Sequence, residues 1–242
     1  MTTTAAVGRL GNQIIRNLAV SFIAEKHDLN VKYCNYELIN SLGIELFSGN
    51  MIFNKTMILN EENYFSVYNC ENLTHNLNPN NAYFQTKEIT NMMHKYLHSE
   101  KVKTAIIEKN PFKQRYNANN DLFIHIRLTD VAHHNPGIKY FLNTIRNHEF
   151  DTLYIATDDK HHSIVRQIIA AYPQAKLIEY NEKNTIQFAS TCKNIILSHG
   201  SFSALIGYLA FFSKINYAEY ENGKIWYGDM FSIDGWNKHP TV

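Results

Sequence analysis

Cysteine is scarce in this sequence and carries no motif. Cys34, Cys70 and Cys192 are odd in number and far apart, and no CxxC occurs. That excludes a disulfide framework and a cysteine zinc site. No apolar run reaches membrane-spanning length. The opening residues, MTTTAAVGRL, lack the basic and apolar regions of a signal peptide. The expected compartment is therefore the reducing cytoplasm. An excess of one charge is also missing: 23 Lys and Arg stand against 22 Asp and Glu, with no basic stripe. Nucleic acid is not an expected partner, and any phosphate bound here must be met by a few placed groups. No HExxH is present. A histidine-based metal hydrolase would exploit His125, His133, His134, His161 and His162, but adjacent histidines make poor co-ligands on one element. The expected metal is none.

The residues that are present suit a packed protein. Of the 242 residues, 45% are apolar and 19% charged, enough for one large core or two smaller ones. The segment VGRLGNQIIRNLA, Val7 to Ala19, places two glycines, an arginine and two amides before the apolar positions Ile14, Ile15, Leu18, Ala19, Phe22 and Ile23. That spacing predicts a helix, with Asn12 as its N-cap. TTTAAV before it and LNVKYCNY after it read as strands, giving a βαβ start. From about residue 50 to 120 the pattern weakens into Asn-rich loops and helical patches such as TKEITNMMHKYLH and KVKTAIIEKN. Pro111 and QRYNANND form the best linker candidate.

The second half is clearer. LFIHI (122–126), TLYIAT (152–157), AKLIEY (175–180), NIILS (194–198) and INYAE (215–219) read as strands, and helical patterns separate most of them. Such alternation predicts a parallel sheet covered on both faces. Ligands of such sheets bind at the carboxyl ends of the strands, so the polar residues there matter most. After the first strand come His125, Arg127 and Asp130, the first two on one face. Taken alone, they also read as a satisfied core histidine and a surface arginine. After the second come Thr157, Asp158 and Asp159, one of which a helix N-cap would explain. After the fourth come His199, Gly200, Ser201, Phe202 and Ser203. A tight turn at Gly200, with Ser201 or Ser203 as cap, would make a helix start suited to an anion, though capped helices need such residues regardless. Together these offer a cation, hydroxyls and backbone donors for a diphosphate, and acids for a ribose or base. Arg127 is the natural diphosphate ligand, because its fork of donors matches phosphate oxygens.

In this order the motifs resemble glycosyltransferase family 11, the α-1,2-fucosyltransferases. GRLGNQ (8–13) is similar to that family's G-x-LGNQ signature, and FIHIRLTD (123–130) to its H-x-R-R-x-D motif, followed by GIKYF (137–141). LYIATDD (153–159) resembles its strand ending in an acidic pair. CKNIILSHGSFSALIGYLA (192–210) resembles its serine motif, and AYFQ (82–85) its G-Y-[FW]-Q segment. Where the family has a second arginine, a serine motif preceded by Asn and Ser, and two tryptophans, this chain has Leu128, His199-Gly200 and Ala204-Leu205. His133, His134 and Lys139 are the nearby residues able to replace the missing charge.

The resemblance implies an α/β, GT-B-like fold of two Rossmann-like domains with mostly parallel sheets facing a cleft. Residues 1–115 would form the acceptor-side domain and 116–242 the nucleotide-sugar-binding domain. It implies an inverting, metal-independent transfer of L-fucose from GDP-fucose to a glycan hydroxyl, with no cofactor. On that basis Arg127 meets the donor β-phosphate beside His125, and Ser201, Phe202 and Ser203 hold the phosphates or line the base. Asp158 or Asp159 binds guanosine, and Asp130 is the candidate general base. Gly8, Arg9, Gly11, Asn12 and Gln13 face the donor, the glycines by close backbone approach and the amides by side-chain contact. Two alternatives stay open: the same fold with another nucleotide sugar, and a relative that binds nucleotide or glycan without transfer.

Overall fold

The computed structural model of this protein describes residues 1–220 and 228–241. The chain forms two compact units, Met1–Ile106 and Ile107–Val242. It is a mixed α/β protein, and every strand pairing among the described residues is parallel.

The first unit contains β1 (Thr2–Thr3), α1 (Leu10–His27), β2 (Val31–Lys32), α2 (Tyr36–Asn40), β3 (Thr56–Ile58), α3 (Tyr64–Asn69), β4 (Asn76–Asn78) and α4 (Lys87–Leu97); α5 (Glu100–Lys109) spans the division. β1 pairs with β2 and β3 with β4. Between these short ladders the Leu77 N–H donates to the Thr2 Oγ1 rather than to a carbonyl, at 2.8 Å. The strands expected from TTTAAV and LNVKYCNY are thus two residues each, because side chains take over the backbone pairing. The Cys34 N–H, for example, donates to the Thr4 Oγ1 at 2.9 Å.

The start of α1 differs from the sequence expectation. Gly8 has φ of +72°, a left-handed turn that lets the helix open at Leu10 with Arg9 as N-cap. Asn12 therefore lies inside the helix. From Gln13 to Ala24 every residue of α1 is buried, and the polar ones, Gln13, Arg16, Asn17 and Ser21, are hydrogen-bonded there.

The second unit contains β5 (Leu122–Ile126), α6 (Ile138–Arg146), β6 (Leu153–Thr157), α7 (Ser163–Ala171), β7 (Lys176–Leu177), α8 (Glu182–Ala189), β8 (Asn194–Leu197), α9 (Ser201–Tyr208), β9 (Lys214–Ala218) and β10 (Asn237–His239). Its six strands run in the order β10-β9-β8-β5-β6-β7. The chain builds outward from β5 through β6 to β7, then returns to the other side of β5 with β8. The β5–β8 boundary is the topological switch point of the sheet.

Alternation along β5 decides what each residue does. Leu122, Ile124, Ile126 and then Leu128 enter a buried cluster with Tyr140, Phe141, Leu153, Ile155 and Val165. Phe123, His125 and Arg127 belong to the opposite face by the two-residue period of a strand. Leu128, where the resembling family carries arginine, is thus a core residue at 2% exposure.

The expected linker is part of this unit's packing. The Arg115 Nη2 donates to the Asp121 carboxylate at 2.6 Å and its Nε to the Thr191 hydroxyl at 3.1 Å, while its guanidinium lies over the Phe188 ring. Other elements differ in extent: AKLIEY yields strand pairing only at Lys176–Leu177. Neither Asp158 nor Asp159 caps α7, whose N-cap is His162, its Nδ1 accepting from the Ile164 N–H at 3.2 Å. Neither serine caps α9. Its N-cap is Gly200, with φ of +100°, and Ser201 and Ser203 lie within the first turn.

Candidate functional site

At the switch point, β5 and β8 present their carboxyl ends side by side. From β5 come His125 and Arg127, and from the loop after β8 come His199 and the start of α9. His125 is buried, and its Nδ1 shares a hydrogen bond of 2.5 Å with the Ser203 Oγ. Its ring also packs against Phe202, with centroids 5.1 Å apart. Burial pushes the His125 pKa down to about 4, with Asp158 opposing. At neutral pH this histidine is an uncharged strut joining strand to helix.

Arg127 sits where the strand gives way to loop, its side chain 15% exposed. Its Nη1 donates to the Asp158 Oδ2 at 2.5 Å and its Nη2 to the Asp130 Oδ1. Asp158 also accepts from the Leu128 N–H at 2.7 Å and the Thr129 hydroxyl at 2.6 Å. It thereby holds the loop after β5 against the end of β6. Asp159 turns the other way: its Oδ1 accepts from the His161 N–H at 2.9 Å, and the Thr157 hydroxyl accepts from the Asp159 N–H at 3.2 Å. Those bonds shape the β6–α7 turn.

Two residues not singled out in the sequence support this loop. Thr129 binds Asp158, and the Asn135 Nδ2 donates to the Arg127 carbonyl at 3.0 Å while its Oδ1 accepts from the Gly137 N–H at 2.9 Å. The Asn-Pro-Gly sequence at 135–137 is the turn signal that could have found the second.

His199 is buried against Tyr220, with ring centroids 4.7 Å apart, and against Phe231. Desolvation first, and His134 second, lower its pKa to about 4. His134, Asn135, His199, Glu219 and Tyr220 border a small pocket at the same sheet edge. Among the described residues no group of three or more His, Cys, Asp or Glu is placed to hold a metal ion, and no helix is long and apolar enough to cross a membrane.

The Gly8–Gln13 residues belong to the first unit. The Gln13 Nε2 donates to the Gly8 carbonyl at 2.7 Å, and its Oε1 accepts from the Asn35 amide. The Asn12 Oδ1 accepts from the Gln85 Nε2 at 2.7 Å, which ties GRLGNQ to AYFQ. Gly8 and Arg9 are exposed, while Gly11 and Gln13 are buried. Beneath the loop lies Arg16, fully buried, donating to the Ala82, Ala5 and Pro79 carbonyls at 2.8, 2.8 and 3.0 Å. Its signal was present: it is the sole charged residue between Arg9 and Glu25. Burial lowers its pKa from the usual arginine range.

No protein-family model matches this chain, and no curated protein sequence matches it. The resemblance to glycosyltransferase family 11 therefore stands on the quoted motifs. Among solved structures the chain is similar to POFUT1 in complex with GDP-fucose, at 10% sequence identity, with 86% of this chain and 92% of that chain covered and a TM-score of 0.41. At that level neither residue roles nor ligands carry over.

Proposed function

We propose that this protein is a glycosyltransferase whose second unit binds a nucleoside-diphosphate sugar and whose first unit serves the acceptor. The motifs favour GDP-fucose as donor, a glycan hydroxyl as acceptor, and an inverting transfer without a divalent metal. One observation supports this above the others: Arg127 and the opening turn of α9 share the switch point of a six-stranded parallel sheet. Open α/β sheets bind ligands in that crevice. A guanidinium beside a helix N-terminus complements a diphosphate in both charge and hydrogen-bond geometry.

In the proposed reaction the acceptor oxygen attacks the anomeric carbon from the face opposite the diphosphate. The bond from that carbon to the β-phosphate oxygen breaks, and its electron pair leaves with the nucleoside diphosphate. Charge grows on the leaving oxygen, so Arg127 and the α9 turn stabilise the transition state more than the ground state. Asp130 takes the acceptor's proton. His125 stays neutral and holds Ser203, and hence the α9 turn, in place.

The test is calorimetric titration with GDP in EDTA, with UDP, dTDP and ADP as controls, repeated on Arg127→Ala. The expected result is selective GDP binding that weakens about 10- to 100-fold in the variant, the value of one or two charge-assisted hydrogen bonds. Stronger binding of UDP or dTDP would remove fucose as the transferred sugar. Absence of all nucleotide binding in a folded sample would overturn the proposal.

A further inference from the structure

Arg127 already carries two carboxylates, and they differ. The Asp158 side chain is 20% exposed and receives, besides Arg127, the Leu128 N–H and the Thr129 hydroxyl. It is built into the loop. The Asp130 side chain is 56% exposed, three residues from Arg127 on the same loop, with the Thr129 hydroxyl 3.3 Å from the oxygen that meets the guanidinium. An ion pair that open to water contributes little. A diphosphate brings more charge and can take two guanidinium donors at once.

We propose that Asp130 is an exchangeable counter-ion: the donor diphosphate displaces it from Arg127, and the released carboxylate then serves as base for the acceptor. This rests on the nucleotide-sugar reading above. Asp158 keeps its bonds throughout and fixes the guanidinium for either partner. The exchange orders the reaction. Before the donor binds, Asp130 is engaged with Arg127. After binding, the same carboxylate lies beside the diphosphate and accepts the hydroxyl proton as the sugar–phosphate bond breaks. Acceptor activation is thereby tied to an occupied donor site, which also guards against loss of the sugar to water.

The test compares GDP affinity by calorimetry in the wild type, Asp130→Asn, Asp130→Ala and Asp151→Asn, with thermal melts to establish folding. Removing the internal competitor should tighten GDP binding about three- to fivefold in both Asp130 variants, since the binding-competent fraction of Arg127 rises. It should also lower the rate of sugar transfer. Asp151→Asn makes the same charge change on an exposed side chain at the amino end of β6, and should shift affinity by less than about twofold. Equal tightening in Asp151→Asn would reduce the effect to general charge repulsion and overturn the exchange. Unchanged or weaker GDP binding in the Asp130 variants would also overturn it, while the nucleotide-sugar reading survives. Failure of the wild type to bind any nucleotide would overturn both.

Discussion

The loop after β1 and the loop after β5 carry the two most motif-like stretches of the chain, and they handle polar groups in opposite ways. In the first, Gln13, Asn12 and Arg16 direct their hydrogen bonds inward: to the Gly8 carbonyl, to Gln85 and Asn35, and to three carbonyls around Ala82. In the second, Arg127 and Asp130 meet at the edge of solvent. A motif rich in amides and glycine can thus encode the shape of a loop, while one with an arginine and an exposed aspartate encodes chemistry a ligand can take over. Mutations should separate the two.

The largest effect belongs to the inward loop. Arg16→Ala strands three backbone carbonyls in the interior and should destabilise the protein by about 3–5 kcal/mol, measured by urea denaturation. A loss below 1 kcal/mol would break the comparison, because it would mean that the buried cation is not what holds the loop. The outward loop should respond in the reverse sense: Arg127→Ala is expected to cost nucleotide affinity, as set out above, with little loss of stability.

Acid sharpens the contrast further. His94, His125 and His199 each have a pKa lowered to about 4, in every case chiefly by burial. In the unfolded chain they take up protons near pH 6.5, and in the folded protein only near pH 4. Stability is therefore full above pH 6.5 and falls as pH drops towards 4, by up to roughly 3 kcal/mol for each of the buried rings His125 and His199 and by less for the half-buried His94. Denaturation curves from pH 7 to 4.5 should show this slope, and a flat profile would place these rings in water. The smallest effect is that of Ser203→Ala. It leaves the His125 Nδ1 without its partner and should cost about 1–2 kcal/mol, read as a lower denaturation midpoint. GDP affinity should also weaken if the strut positions the α9 turn.

The sequence was most legible where burial is simple. β5, β6, β8 and β9 are short apolar strands between helices, and their patterns lie within a residue or two of the observed elements. The first unit was least legible. Its strands are two or three residues long, too short for alternation to register, and side chains such as Thr2 and Thr4 complete their pairing. Asn12 looked like a cap because the helical periodicity starts just after it. The positive φ of Gly8 moves the true start to Leu10, and torsion angles leave no trace in a hydrophobic pattern. At the candidate site, the residues at the strand ends could be listed from sequence, but their partners could not. That Asp158 serves the β5 loop depends on which strands are neighbours, a property of topology rather than of spacing.

The bond between His125 and Ser203 also bears on how the protein reaches its fold. The two residues are 78 positions apart, and β6 and β7 lie between β5 and β8 in the chain. Contacts this distant along the chain carry a loop-closure cost that local helices and the β5–β6 pairing do not share. Until β8 pairs, one edge of β5 leaves its backbone groups open, and such an edge can template aggregation. The crevice proposed for the nucleotide is thus expected to close later than the β5–β6 pairing, and refolding monitored at Arg127 should lag behind refolding monitored on α6.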